Sequence, residues 1–212
     1  GLLSEAERAV LRSASVFAGG FTVAAGEAVC SSDAIAPDDV LALLARLVEK
    51  SLLNATDGDG ETRYGMLETV RQFAHEKLVE SAEDGAARSR HLDWCLQLAE
   101  AAEPGLETKD QLIWLRRLEL ERDNMRAALD WSIGLEPPEP ALRLTSALQG
   151  FWHLRGPWSE AMERFERALC RADDAGPAIQ AKVKMGTAYI GAQLGQDRER
   201  GRRLLEEALE LY

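Results

Sequence analysis

The chain is patterned for helices almost throughout, with one short interruption of alternating character. Ala9, Val10, Ser13, Val16 and Phe17 recur at helical spacing behind Ser4-Glu5-Ala6-Glu7, a capping box in which Ser4 accepts from the Glu7 amide and the Glu7 carboxylate reaches back. A first helix is therefore expected from Ser4, ended by Gly19-Gly20. Phe21-Thr22 is expected to open a second helix to about Cys30. Pro37, suited to a first helical turn and followed by Asp38 and Asp39, opens a third to about Ser51, apolar through Val40, Leu41, Leu43, Leu44, Leu47 and Val48. Ser51 to Thr56 then reads as a strand and Asp57-Gly58-Asp59-Gly60 as a turn of residues that tolerate positive φ. From Arg63 to Ala74 an alternating stretch runs straight into a helical one, which predicts a strand handing over to a helix from about Thr69 to Ser81. Three helices, a hairpin and a helix are the order of a winged helix, with Asp57 to Glu61 as the wing.

Beyond Gly85 the pattern is helical only. One helix is expected from Ala87 to Glu103, stopped at Pro104-Gly105. A second capping box, Thr108-Lys109-Asp110-Gln111, predicts a long helix to about Ile133, with Leu112, Leu115, Leu118, Met125, Ala128 and Leu129 at helical intervals. Pro137-Pro138-Glu139-Pro140 reads as a linker, and two helix pairs follow it. Ala161, Phe165, Ala168 and Leu169 match Gly201, Leu205, Ala208 and Leu209 at an offset of 40, and the loop glycines Gly156 and Gly195 match at 39. A small residue, a bulky one four later and an alanine three after that suit the second helix of a tetratricopeptide repeat. The expected fold class is mostly α. A winged helix over 1–82 leads to a helical linker or first superhelical pair over 83–136, then to a tetratricopeptide-like α-α superhelix over 137–212.

In such a repeat the first helix of each pair lines a groove, which here aligns Arg143 with Lys182, Ser146 with Met185, Gly150 with Tyr189 and His153 with Ala192. Two cations at equivalent positions suit an acidic or carboxylate-bearing partner segment, though the same residues read equally well as solvated side chains. Leu204, Leu205, Leu209 and Leu211 on the last helix have no following cap and read as a face for self-association.

Composition narrows the function. With 212 residues, 46% hydrophobic and 29% charged, the chain is expected to be globular, and it lacks an apolar run near the about 18 residues needed to span a bilayer. With no basic-then-apolar leader either, it is expected to be cytoplasmic. It begins with Gly1 rather than Met and reads as a piece of a longer polypeptide. Cys30, Cys95 and Cys170 are isolated and read as reduced thiols. Of the net charge of −11, residues 1–85 carry −8, from seven Lys and Arg against fifteen Asp and Glu. The third helix offers Asp38, Asp39, Arg46, Glu49 and Lys50, a net of −1, and the wing is acidic. Phosphate backbones are repelled by such a surface, so DNA is a poor first partner for this segment.

Enzyme chemistry finds little purchase. His75, His91 and His153 are scattered, and neither a phosphate-binding loop nor a dinucleotide fingerprint occurs, so no catalytic residue is proposed. Asp57, Asp59, Glu61 and Glu68 fall at positions one, three, five and twelve of a calcium-loop pattern, but Thr62 stands where glycine is needed, and no metal is expected. Trp94, Trp114, Trp131, Trp152 and Trp158 read as packing residues, with Trp152 and Trp158 flanking Gly156-Pro157 as the candidates for exposure.

The runs Leu3-Ser4-Glu5-Ala6-Glu7-Arg8, Ser15-Val16-Phe17-Ala18-Gly19-Gly20-Phe21-Thr22, Leu44 to Leu52 and Tyr64 to Ala74 resemble the region after the nucleotide-binding module in bacterial STAND-class regulators. These are the large LuxR-type, antibiotic-regulator-type and cyclase-linked proteins. Arg122-Asp123-Asn124-Met125-Arg126-Ala127-Ala128-Leu129 resembles the family's first superhelical segment. The resemblance implies a winged helix used inside the protein, closing over an upstream module that binds ATP or ADP, with no cofactor in the present segment and a ligand or protein inducer in the repeat groove. In related eukaryotic switch proteins the strand-to-helix junction carries Met-His-Asp, whose histidine contacts the bound diphosphate. Here the matching residues are Met66, Leu67 and Glu68, and leucine cannot donate a hydrogen bond. Glu68 would then cap the helix or pair with a cation of the module, and Arg71 is the nearest cation for a phosphate. Two rivals stand beside this reading: a winged helix that itself binds DNA, and a repeat scaffold that bridges proteins.

Overall fold

The structure, a computed structural model, describes residues 2–58 and 60–211; Gly1, Tyr212 and the wing residue Asp59 lie outside them. Two compact units are formed, one of residues 1–94 and 120–128, the other of residues 95–119 and 129–212. No helix of the described residues is long and apolar enough to cross a membrane.

In the first unit α1 (Glu5–Ala14) starts on the expected capping box. The Glu7 amide donates to Ser4 Oγ at 3.2 Å and the Ser4 amide to Glu7 Oε2 at 2.6 Å. The helix stops at Ala14, short of the glycines. Gly19 and Gly20, with φ of +80° and +90°, instead turn the chain into a strand. A Cβ on Gly20 would lie 2.8 Å from the Tyr64 carbonyl, so only glycine fits this turn.

Phe21–Thr22, expected to begin a helix, forms β1. It pairs antiparallel with β3 (Glu61–Gly65), Phe21 opposite Tyr64 and Thr22 opposite Arg63. Aromatic packing on one face explains the override: Phe21 stacks on Phe17 at 4.3 Å and on Tyr64 at 5.9 Å between ring centroids. Thr22 still caps α2 (Val23–Cys30), accepting from the Ala25 amide. After α3 (Pro37–Glu49), β2 (Asn54–Gly58) completes a sheet in the order β1-β3-β2, and α4 (Glu68–Glu80) follows. Both hairpin strands reach further into the turn than expected, up to Gly58 and from Glu61. Val10, Phe21, Leu44, Leu47 and Leu78 are wholly or almost wholly buried in this core, each worth about 1.5–3 kcal/mol.

The next helix, α5 (Asp84–Gly105), runs through Pro104, which falls in its last turn and so interrupts little. The expected second capping box does not form. Thr108 Oγ1 accepts from the Asp110 amide, Gln111 Nε2 donates to the Leu106 carbonyl, and the helix begins only at Gln111. The long helix is also broken into α6 (Gln111–Leu120) and α7 (Arg122–Ser132), with Glu121 at the junction.

In the second unit α8 (Glu139–Ala147) and α9 (Gln149–Arg155) are followed by α10 (Trp158–Leu169), α11 (Pro177–Gln193) and α12 (Arg198–Leu209). Helix α11 packs on α8, α10 and α12 around Leu142, Ala168, Ala172 and Val183. Phe165 is wholly buried with its ring against Gly186, where a Cβ would lie 2.2 Å from the ring. The matched loop glycines Gly156 and Gly195 both have positive φ. In the second copy Leu204 and Ala208 face inward, whereas Leu205 and Leu209 are exposed.

Candidate functional site

A cleft of about 730 Å³ opens in the first unit between the turn that follows α1, the hairpin and the start of α4. Met66, Glu68 and Arg71 line it, as do Arg63 and Arg88, so three of the four junction residues singled out in the sequence share one cavity wall. Leu67 is 65% exposed. Met66 packs partly buried against the first core.

Glu68 does not cap a backbone amide and is paired within the chain. Its carboxylate accepts from Arg71 Nε at 2.8 Å and Nη2 at 2.7 Å, and from Gln72 at 2.9 Å. The Arg71 bonds, then that of Gln72, hold the carboxyl down to about 2. Arg71 also reaches the Ser15 carbonyl at 3.4 Å, so its guanidinium is spent on protein groups. Arg88 is bound in turn by Asp84, and its Nη2 lies 3.1 Å from His75 Nε2. Of the carboxylates of the calcium-like pattern, Asp57 accepts from Thr62 and Glu68 from Arg71, Glu61 is exposed, and Asp59 lies outside the described residues.

The surface that a DNA-binding winged helix would present has its own chemistry. On α3 the exposed stripe is Asp38, Leu41, Ala42, Ala45, Arg46 and Glu49, small and apolar in the middle with acid at both ends. Asp57 and Glu61 are exposed on the hairpin. Arg46 is the sole cation of that stripe.

A buried polar cluster, which the sequence pattern does not announce, lies behind the cleft residues Ala18, Gly20 and Arg63. Asn124, fully buried, accepts from the Ala18 amide at 2.8 Å and donates to the Gly20 carbonyl at 2.8 Å and to Glu121 Oε2 at 2.6 Å. Glu121, 3% exposed, is ion-paired with Arg63, which also donates to the Gly20 and Leu120 carbonyls at 3.2 Å. His91, buried among Phe17 and Trp94, shares a hydrogen bond with Asn124. Burial pushes its pKa down to about 4, with the Asn124 bond acting the other way.

In the second unit both groove cations are paired internally. Arg143 makes two 2.8 Å bonds to Glu100, and Lys182 reaches Glu103 at 2.8 Å. Leu106, three residues further along, closes on Gly150. One turn after another of the chain thus supplies an acidic and apolar segment to the positions expected to receive one. Ser146 is buried with its hydroxyl unpartnered, and Tyr189 Oη lies 2.9 Å from His153 Nε2 with the two rings edge to face. Trp158 is partly exposed, but Trp152 is buried against Phe165.

Residues 3–79 match the model of a winged helix-turn-helix domain. The chain is similar to a protein provisionally named an HTH-type transcriptional regulator in Mycobacterium tuberculosis and in Mycobacterium bovis, 39% identical over 168 residues, which are 79% of this chain and 19% of the relative. An uncharacterized protein of Mycobacterium tuberculosis is 40% identical over 91 residues, 42% of this chain and 23% of that protein. The chain therefore spans about a fifth of the length of the relatives it matches. No solved structure gives a significant match. The element order, the β1-β3-β2 sheet and these similarities agree: residues 3–79 are a winged helix-turn-helix domain followed by a helical region, in a chain homologous to proteins named as transcriptional regulators.

Proposed function

We propose that this chain is the regulatory segment of a STAND-type transcriptional regulator. Its winged helix closes on an upstream nucleotide-binding module that holds ATP or ADP, through the junction of Met66, Leu67, Glu68 and Arg71. Its helical region, tetratricopeptide-like over 137–212, receives a ligand or protein inducer near Arg143, Ser146, His153, Lys182 and Tyr189, and the chain itself is non-catalytic and works in the cytoplasm. The observation that carries this reading is the exposed stripe of α3, apolar in the middle and acidic at its ends beside an acidic hairpin. Such a face suits protein and repels a phosphate backbone.

A second reading has its own support. The matching domain is described by its helix-turn-helix and the relatives by transcriptional regulation, which stand nearer to a winged helix that itself binds DNA. Fluorescence anisotropy of a labelled duplex, titrated with this chain from low to physiological salt, separates the two. Under the regulatory reading binding at physiological salt stays weaker than about 10⁻⁴ M. Micromolar or tighter binding with a steep salt slope, lost on Arg46→Glu, would establish the DNA-binding reading instead.

A further inference from the structure

We infer that Glu121 and Asn124 form a latch that fastens residues 120–128 to the wing strand, with Arg63 as the group through which the wing and that segment open together. The inference deepens the regulatory reading and rests on it only for what would act on the cleft; the coupling is a property of this chain alone.

Polar groups are rarely sealed from water, because each must recover its lost hydration from protein partners. Here three of them, His91, Glu121 and Asn124, are 3%, 3% and 0% exposed and converge on one spot. Besides the bond between Asn124 and Glu121 themselves, the bonds of these two run to elements distant in sequence. Asn124 holds the turn at Ala18 and Gly20, and Glu121 holds Arg63 on β3. Gly19 and Gly20, at positive φ, shape that turn to receive them, and the Asp123 carboxylate sits against Gly19.

A buried ion pair contributes little net stability, because desolvation offsets the attraction, but removing one partner strands the other charge. The arrangement is therefore poised between two conditions, fully made or fully released. Arg63 lines the cleft, and so do Leu120 and Ala127 from the latched segment. Whatever draws the Arg63 guanidinium toward the cleft takes it from Glu121 and from the Leu120 carbonyl at once. The latched segment contains the first turns of α7.

The test is hydrogen–deuterium exchange on the whole chain. Arg63→Gln and Glu121→Gln should each speed exchange at least about tenfold in residues 122–128 and, in parallel, in residues 18–22. Arg12→Gln, which removes the separate Arg12–Glu83 pair of the same unit, should leave both segments as they are. If a single variant fails to fold, the double variant Arg63→Gln/Glu121→Gln, which leaves no stranded charge, should recover the fold, with any loosening it keeps shared by both segments. Wild-type protection of 122–128 in folded Arg63→Gln or Glu121→Gln, a double variant that does not recover the fold, or loosening of one segment without the other, would overturn the latch. DNA binding by the chain would sink the regulatory reading and leave this result untouched.

Discussion

Replacing Asn124 with alanine is the sharpest energetic probe of the first unit. The side chain is fully buried and serves the Ala18 amide, the Gly20 carbonyl, the Glu121 carboxylate and His91. Two of these keep another partner in Asn124→Ala, since Arg63 also donates to the Gly20 carbonyl and to Glu121. The Ala18 amide is stranded, which costs about 1–3 kcal/mol, and His91 loses its bond as well. The void left by three heavy atoms adds on the order of 1 kcal/mol, giving at least about 2–4 kcal/mol in all. Asn124→Asp discriminates further: its carboxylate still accepts from Ala18 but faces Glu121 and the Gly20 carbonyl, so near neutral pH it should cost more than alanine. The two compact units need not unfold together, so the measurement is hydrogen exchange across a urea series, read at the core amides of Val10, Leu44 and Leu47. A loss below about 0.5 kcal/mol in Asn124→Ala would refute the accounting, since surface substitutions already reach that size.

Three further outcomes follow from other features. His91, ordinarily near 6.5 but held at about 4 by burial, binds a proton more readily when unfolded; stability of the first unit should therefore fall by about 3 kcal/mol as pH drops from 6.5 toward 4. Glu7 and Glu68, both held at about 2, lose their contributions only below 4.5, so a slope between pH 6.5 and 4.5 that vanishes in His91→Gln isolates the histidine. Gly20→Ala should destabilise by about 1–3 kcal/mol from backbone strain alone, and more from the contact with the Tyr64 carbonyl, seen as a lowered urea midpoint for the same core amides. Cys170 is exposed while Cys30, its thiol pushed up to about 12 by burial, and Cys95 are buried, so iodoacetamide followed by mass spectrometry should label Cys170 alone in the folded chain.

Much of the fold was legible because local signals and tertiary packing agreed. The Ser4 and Glu7 capping box, Pro37 at a helix start and the hairpin at Asp57 to Glu61 each state their geometry within a few residues. Legibility failed where partners lie far apart in the chain. Phe21-Thr22 carries no alternation of its own and becomes a strand only because Tyr64 and Arg63 stand opposite. The helical periodicity of Leu112 to Leu129 continues through Glu121 without a sign of the break, where Glu121 pairs with an arginine 58 residues away. Within the long helix expected from Thr108 to Ile133, Asn124 falls mid-helix, a place where its propensity is poor, and that mismatch is the available hint of a buried role.

The same distinction governs the candidate sites, because a sequence displays charges but not their partners. In the sequence Arg71 and Glu68 read as groups for an upstream module, and Arg143 and Lys182 as a cationic groove. In the folded chain each is answered at close range, Arg71 by Glu68, Arg143 by Glu100 and Lys182 by Glu103. Exposed pairs of this kind are worth about 0–1 kcal/mol and exchange readily. A partner that brings its own carboxylate to Arg143 or Lys182 therefore gains only by displacing Glu100 or Glu103. Affinity at these positions depends on the difference between two similar bonds, and the surfaces that add something new are the aromatic and apolar ones, Tyr189 with His153 in the repeats and the apolar middle of α3 in the winged helix.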